Sequence, residues 1–76
     1  MTAPDQLQRK SVTIAGHRTS VTLEAAFWQV LDRLAKTDGR SRAALIQQVD
    51  AGRSGTLSSA LRVYVLNRLD TIEPTP

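Results

Sequence analysis

Cysteine is absent from the 76 residues, and His, Trp, Tyr and Phe occur once each. Without cysteine there is no disulfide, no thiolate ligand and no thiol nucleophile. One His with seven carboxylates offers no recognisable zinc-ligand set, so no metal is expected. No apolar run approaches the roughly 20 residues of a membrane span, and the start has no apolar signal-peptide core. A Gly-rich phosphate loop and a spaced Ser, His and acid arrangement are also missing, so neither an enzyme nor a cofactor is expected. These absences predict a soluble cytoplasmic protein, in keeping with the rarity of disulfides in reducing compartments.

The prolines, Pro4, Pro74 and Pro76, all lie near the ends. Residues 1–10 and 71–76 therefore read as flexible tails around one folded domain at 11–70. A chain this short buries only about 60% of the surface its unfolded form exposes, which leaves it marginally stable. With disulfides and metals set aside, association with another chain is the expected reinforcement.

What the sequence does contain is arginine. Eight Arg and two Lys stand against seven acids, for a net charge of +3. The planar guanidinium suits phosphate and the guanine edge. Residues 1–23 hold three cations and one acid and residues 40–62 hold four and one, while the stretches between and after are slightly acidic.

Residues 11–23, SVTIAGHRTSVTL, are rich in Val, Ile and Thr. In the later part Thr19, Val21 and Leu23 alternate with Arg18, Ser20 and Thr22, the period of a strand. Ala15, Gly16 and His17 interrupt the run, so a short strand at 11–14 is expected before the main one at 18–23. A helix follows, with Phe27, Val30, Leu31, Leu34 and Ala35 as its apolar stripe. Trp28 lies beside that stripe and is expected in the core. Asp32 and Lys36 are spaced for an ion pair, Glu24 faces the positive end of the helix dipole, and Gly39 can stop the helix.

Ser41 is the expected N-cap of a second helix at 42–51, with Leu45, Ile46 and Val49 inward and Gly52 as terminator. Thr56 or Ser58 caps a third helix through Leu69, whose wide stripe includes Leu57, Leu61, Tyr64, Val65 and Leu69. The class is thus mainly α with a short β-ribbon.

A lone strand has unpaired backbone groups on both edges, and the simplest partner for residues 18–23 is the same strand of a second copy. Two antiparallel copies would turn Val21 and Leu23 inward and Arg18, Ser20 and Thr22 outward. A two-stranded ribbon fits the major groove of DNA, where Arg, Ser and Thr can meet base edges. The competing interpretation is a merely solvated polar face.

The segment HRTSVTLE, the amphipathic helix after it, the turn Gly39, Arg40, Ser41 and the second helix together resemble the ribbon-helix-helix family of dimeric bacterial DNA-binding proteins. SVTIAGHRTSVTLE, the pair Phe27 and Trp28, and LSSALRVYVL resemble a compact single-domain subfamily of it, mostly uncharacterised, over about residues 10–69.

The resemblance implies an intertwined homodimer of β-α-α units with an additional C-terminal helix, acting as a transcriptional regulator on double-stranded DNA. It implies base contacts from Arg18, Ser20 and Thr22, and a phosphate held at Ser41 by the amides at the start of the second helix. Arg9, Lys10, Arg40 and Arg42 flank these and are the expected phosphate-contacting cations. The implied dimer core is Val21, Leu23, Phe27, Trp28, Leu31, Leu45 and Ile46. The alternative is a dimeric protein-interaction module, antitoxin-like or an adaptor, binding another protein through the C-terminal helix.

Overall fold

A computed structural model describes residues 3–72. The expected tail residues 1, 2 and 73–76 lie outside the described residues. Strands β1 (Leu7–Ile14) and β2 (His17–Glu24) form one antiparallel hairpin, followed by helices α1 (Ala25–Thr37), α2 (Arg42–Gly52) and α3 (Leu57–Ile72).

The hairpin turns on Ala15 and Gly16, with φ of 51° and 82°. Positive φ at both central residues is the type I′ geometry, whose twist matches that of the flanking strands. Gly16 adopts it freely, whereas Ala15 carries a Cβ into the left-handed region. From this turn the register runs without a slip from Ile14↔His17 to Leu7↔Glu24.

This pairing revises two expectations. β1 of the same chain covers one edge of residues 18–23, and among the described residues no strand lies on the other edge; β1 is twice the expected length because it begins at Leu7 rather than Ser11. Residues 7–10, assigned to a flexible tail, are strand because β2 offers an eight-residue ladder. The chain ahead of β1 is also held: the Ala25 N–H donates to the Gln6 carbonyl at 2.8 Å and the Ala26 N–H to that of Pro4 at 3.0 Å. Two of the four amides that a helix start leaves unpaired are thereby satisfied. Glu24, at the N-cap position of α1, makes no side-chain cap.

The hairpin's inner face supplies Val12, Ile14, Val21 and Leu23, over which Trp28, Leu31, Leu34, Ala35, Leu45, Ile46, Leu57, Leu61 and Val65 close the core. Of the side chains expected at a two-copy interface, Val21, Leu23, Trp28, Leu31, Leu45 and Ile46 are buried within one chain, and Phe27 is only half-buried. The centre of the α1 stripe is Trp28, whose indole Nε1 donates to the Gln8 carbonyl at 2.9 Å and ties α1 to β1.

The helix ends follow local chemistry. Gly39, at φ 68°, ends the turn after α1 in the left-handed region. Ser41 Oγ accepts from the Ala44 N–H at 3.1 Å, and Thr56 Oγ1 accepts from the Ser59 N–H at 3.2 Å. Gly52 is the last residue of α2 rather than its terminator; Arg53 takes the cap position in an extended conformation.

Candidate nucleic-acid interface

Alternation along the hairpin puts one set of side chains on the core and another on the opposite face. Arg18, Ser20 and Thr22 share that outer face with Arg9, Ser11 and Thr13, in the direct cross-strand pairs Thr13↔Arg18, Ser11↔Ser20 and Arg9↔Thr22. Arg9, Ser11, Thr13, Arg18 and Ser20 are exposed, and Thr22 is half-buried. Arg9 Nη2 donates to Ser20 Oγ at 3.3 Å. At the open end the face finishes on Leu7↔Glu24, where an apolar and an acidic residue end the run of cations and hydroxyls.

Four arginines on the helical side are engaged, and Arg33 on α1 is exposed. Arg42 forms a two-pronged pair with Asp32, Nε to Oδ1 at 2.5 Å and Nη2 to Oδ2 at 3.0 Å, and its guanidinium lies 5.3 Å from the centre of the Trp28 ring. Asp32 therefore serves Arg42 rather than the expected Lys36. Arg53 bonds Asp50 at 2.6 Å and the Gly55 carbonyl at 2.6 Å. Arg62 bonds Glu24 at 2.9 Å and stands 5.9 Å from the Phe27 ring centre. Arg68 grips both oxygens of Asp38 at 2.8 and 2.9 Å and donates to the Tyr64 hydroxyl.

These contacts perturb the carboxyls. The Glu24 N–H and then the Arg62 guanidinium hold the Glu24 carboxyl below its ordinary value. Arg68, with Arg40 adding a smaller attraction, does the same at Asp38. In return the carboxylate and the Tyr64 hydroxyl make Arg68 still harder to deprotonate.

The expected phosphate contacts therefore fall into different surroundings. Arg9 lies on the outer face beside the expected base contacts. Lys10 points to the inner face, its ammonium 5.8 Å from the Trp28 ring centre. Arg40 sits 3.7 Å from Asp38, with its Nε buried and unpaired. Ser41 caps α2, and Arg42 beside it is committed to Asp32. Lys10 and Arg42 nevertheless both lie within 6 Å of one indole, which brings the start of α2 close to the middle of β1.

Ser11, Thr13 and Ser58 were missed by sequence reasoning. Ser11 and Thr13 are legible in hindsight, because they alternate with Val12 and Ile14 as Ser20 and Thr22 alternate with Val21 and Leu23. Ser58, expected as an alternative helix cap to Thr56, gave no signal of its tertiary role: it donates from α3 to the Thr22 carbonyl at 3.0 Å across 36 residues.

A two-stranded antiparallel ribbon leading into a helix, a Gly turn and a Ser-capped second helix defines the ribbon-helix-helix class. The chain belongs to that family: the family model described as a ribbon-helix-helix domain matches residues 7–69. Members of this family typically bind DNA and usually form dimers. The chain is also similar to a solved structure, an uncharacterised protein from Bordetella pertussis Tohama I, with 31% identity and a TM-score of 0.75. That match covers 92% of this chain and 62% of the other, so this chain spans less than two thirds of that protein's length. No curated protein matches. Among the described residues, no helix is long and apolar enough to cross a membrane.

Proposed function

We propose that this protein is a homodimeric, sequence-specific DNA-binding regulator that inserts its β-ribbon into the major groove. It has no catalytic activity and works in the cytoplasm. Arg18 pairs with a guanine edge, and Ser20 and Thr22 supply hydroxyls and a methyl group to neighbouring bases. The observation that carries this proposal is the contrast among cations. Arg9 and Arg18 project together from the outer face with no carboxylate partner among the described residues, while Arg42, Arg53, Arg62 and Arg68 are each bound to an acid and Arg33, exposed on α1 without one, lies away from that face. A positively charged, hydroxyl-rich strip on a face that does not build the core is suited to an anionic duplex.

Dimerisation draws on family habit and on α3, where Val63, Leu66 and Leu69 are 54, 60 and 43% exposed. Apolar side chains gathered on one helix favour a protein surface over water. The second reading, a module that binds a different protein, uses this same helix. It is favoured by a groove of about 520 Å³ between α2 and α3 that is lined in part by Val49, Ala60, Val63 and Tyr64.

Selection of bound sequences from a random duplex pool at physiological salt tests the DNA reading. The wild type is expected to enrich a short motif, and Arg18→Ala to lose about 1–3 kcal/mol of discrimination at one base pair. An absence of enrichment by the wild-type protein, with a foreign protein bound to α3, moves the function to the interaction module.

A further inference from the structure

We propose that β1 is a phosphate-binding strand: in the dimer it lies over one edge of the major groove, where Ser11 and Thr13, beside Arg9, hydrogen-bond backbone phosphates while β2 meets the bases. This inference rests on the DNA-binding reading and goes beyond it by giving the strand ahead of β2, and two hydroxyls on it, a separate task.

The strand order follows from the two edges of β2. A two-residue turn closes on a hydrogen-bonded pair, here Ile14↔His17, so the backbone groups of Arg18, Ser20 and Thr22 point away from β1. Along that edge the Thr22 carbonyl accepts from Ser58, and no strand lies there among the described residues. A carbonyl has two lone pairs, so this one bond leaves room for a ladder. A second copy's β2 fits the open edge antiparallel. The order across the dimer is then β1, β2, β2, β1, with the hydroxyl-rich face of all four strands on one side.

Width assigns the strands to parts of the groove. Neighbouring strands lie about 4.8 Å apart, so each β2 stands about 2.4 Å from the middle of the sheet and each β1 about 7.2 Å from it. The major groove is about 12 Å wide, which puts its edges about 6 Å from its centre. The central β2 pair fits between those edges, and each β1 falls on one of them. A strand at an edge meets phosphates, whose oxygens accept hydrogen bonds from Ser and Thr hydroxyls as well as from Arg.

The outward side chains of β1 suit that place. Arg9, Ser11 and Thr13 are exposed, and the Ser11 and Thr13 hydroxyls have no partner among the described residues. Both side chains are short, which lets the strand approach closely. The strand LQRKSVTI carries Arg9 and Lys10 and no acid. Glu24, the acid that ends this face opposite Leu7, is held by Arg62.

Added charge tests the placement. Ser11→Lys and Thr13→Lys put a cation where a phosphate is expected, and Ala51→Lys puts one on an exposed site near the end of α2. In salt-titrated binding to one duplex, each hairpin lysine is expected to steepen the slope of log affinity against log salt by up to about 0.9, and Ala51→Lys to leave it unchanged. The double variant Ser11→Ala, Thr13→Ala is expected to weaken binding to all duplexes alike by about 10-fold, with base preference in random-duplex selection intact and folding checked by a thermal melt. A base preference lost in that variant makes β1 a base reader and overturns the proposal. Hairpin lysines that leave the slope unchanged also overturn it, while the DNA reading stands through Arg18. If wild type binds no duplex, both fall together.

A DNA-free measurement checks the strand order. The Ser20→Cys chain, altered at the middle of the open edge, is expected to oxidise to a dimer-mass crosslink. The Ser11→Cys chain is expected to stay at monomer mass, because the two sites lie about 14 Å apart and a disulfide needs Cα atoms within about 7 Å. A dimer-mass crosslink through Ser11→Cys places β1 at the seam between copies and overturns the proposal.

Discussion

The outer face of the hairpin and the helical side of the molecule carry the same residue type in opposite circumstances. On the helices, Arg42, Arg53, Arg62 and Arg68 meet Asp32, Asp50, Glu24 and Asp38, and three of the four also lie over an aromatic ring. On the hairpin, Arg9 and Arg18 meet hydroxyls or water. Net charge does not distinguish these arginines; the position of the acids does. The helical set fastens α1, α2 and α3 to one another and to β2, and the hairpin set is left with charge to offer a ligand.

Trp28 joins the two regions, because it fills the core and hydrogen-bonds the backbone of β1. Trp28→Ala is therefore expected to have the largest effect, about 3–5 kcal/mol of lost stability in urea denaturation. A loss under 1 kcal/mol would show that the hairpin is anchored elsewhere.

The next effect separates the regions. Arg18→Ala should leave the urea midpoint within the scatter of surface substitutions, about 0.5 kcal/mol, while changing base preference. Arg42→Ala should do the reverse, costing about 1 kcal/mol through Asp32 and the Trp28 ring, with little change in the salt dependence of duplex binding. Should Arg42→Ala reduce that salt dependence by about one ion, its pair with Asp32 must open on DNA.

Ser58→Ala removes the one hydroxyl on the Thr22 carbonyl and is expected to cost about 1 kcal/mol. Hydrogen exchange should quicken at β2 in this variant before it does in α2.

The smallest effect concerns acid. The Glu24 and Asp38 carboxyls titrate lower in the folded chain than in the unfolded chain, so their contribution is present above the unfolded values and is lost as pH falls through the folded ones. Stability should decline on acidification below about pH 4. Asp38→Asn should make that decline shallower, and an unchanged slope would mean that the Arg68 contact does not persist in solution.

The parts of the structure that sequence discloses are the local ones. The alternation at 18–23 marks β2 and its outer face, and Ser41, Gly39 and Thr56 mark helix ends through their own side chains or φ angles. Leu7, Gln8, Arg9 and Lys10 lack β-branching and become strand only because β2 lies beside them. Phe27 and Trp28 are about 100° apart on the same helix, so periodicity leaves the choice between them to the Gln8 carbonyl. The pairs Arg62 with Glu24 and Arg68 with Asp38 span 38 and 30 residues, and no local pattern announces them. As a result Arg18 was legible as a candidate contact, whereas the engagement of Arg42 was not.

The most direct test is the salt dependence of duplex binding in two matched pairs of variants, Arg9→Ala with Arg18→Ala and Arg53→Ala with Arg68→Ala. A DNA-reading hairpin predicts a shallower slope of log affinity against log salt for Arg9→Ala, by up to about 0.9 per lost phosphate contact, a lost preference at one base pair for Arg18→Ala, and an unchanged slope for the second pair. An unchanged slope in the hairpin pair with a shallower one in the helix pair would contradict it, placing the DNA on the opposite side of the molecule.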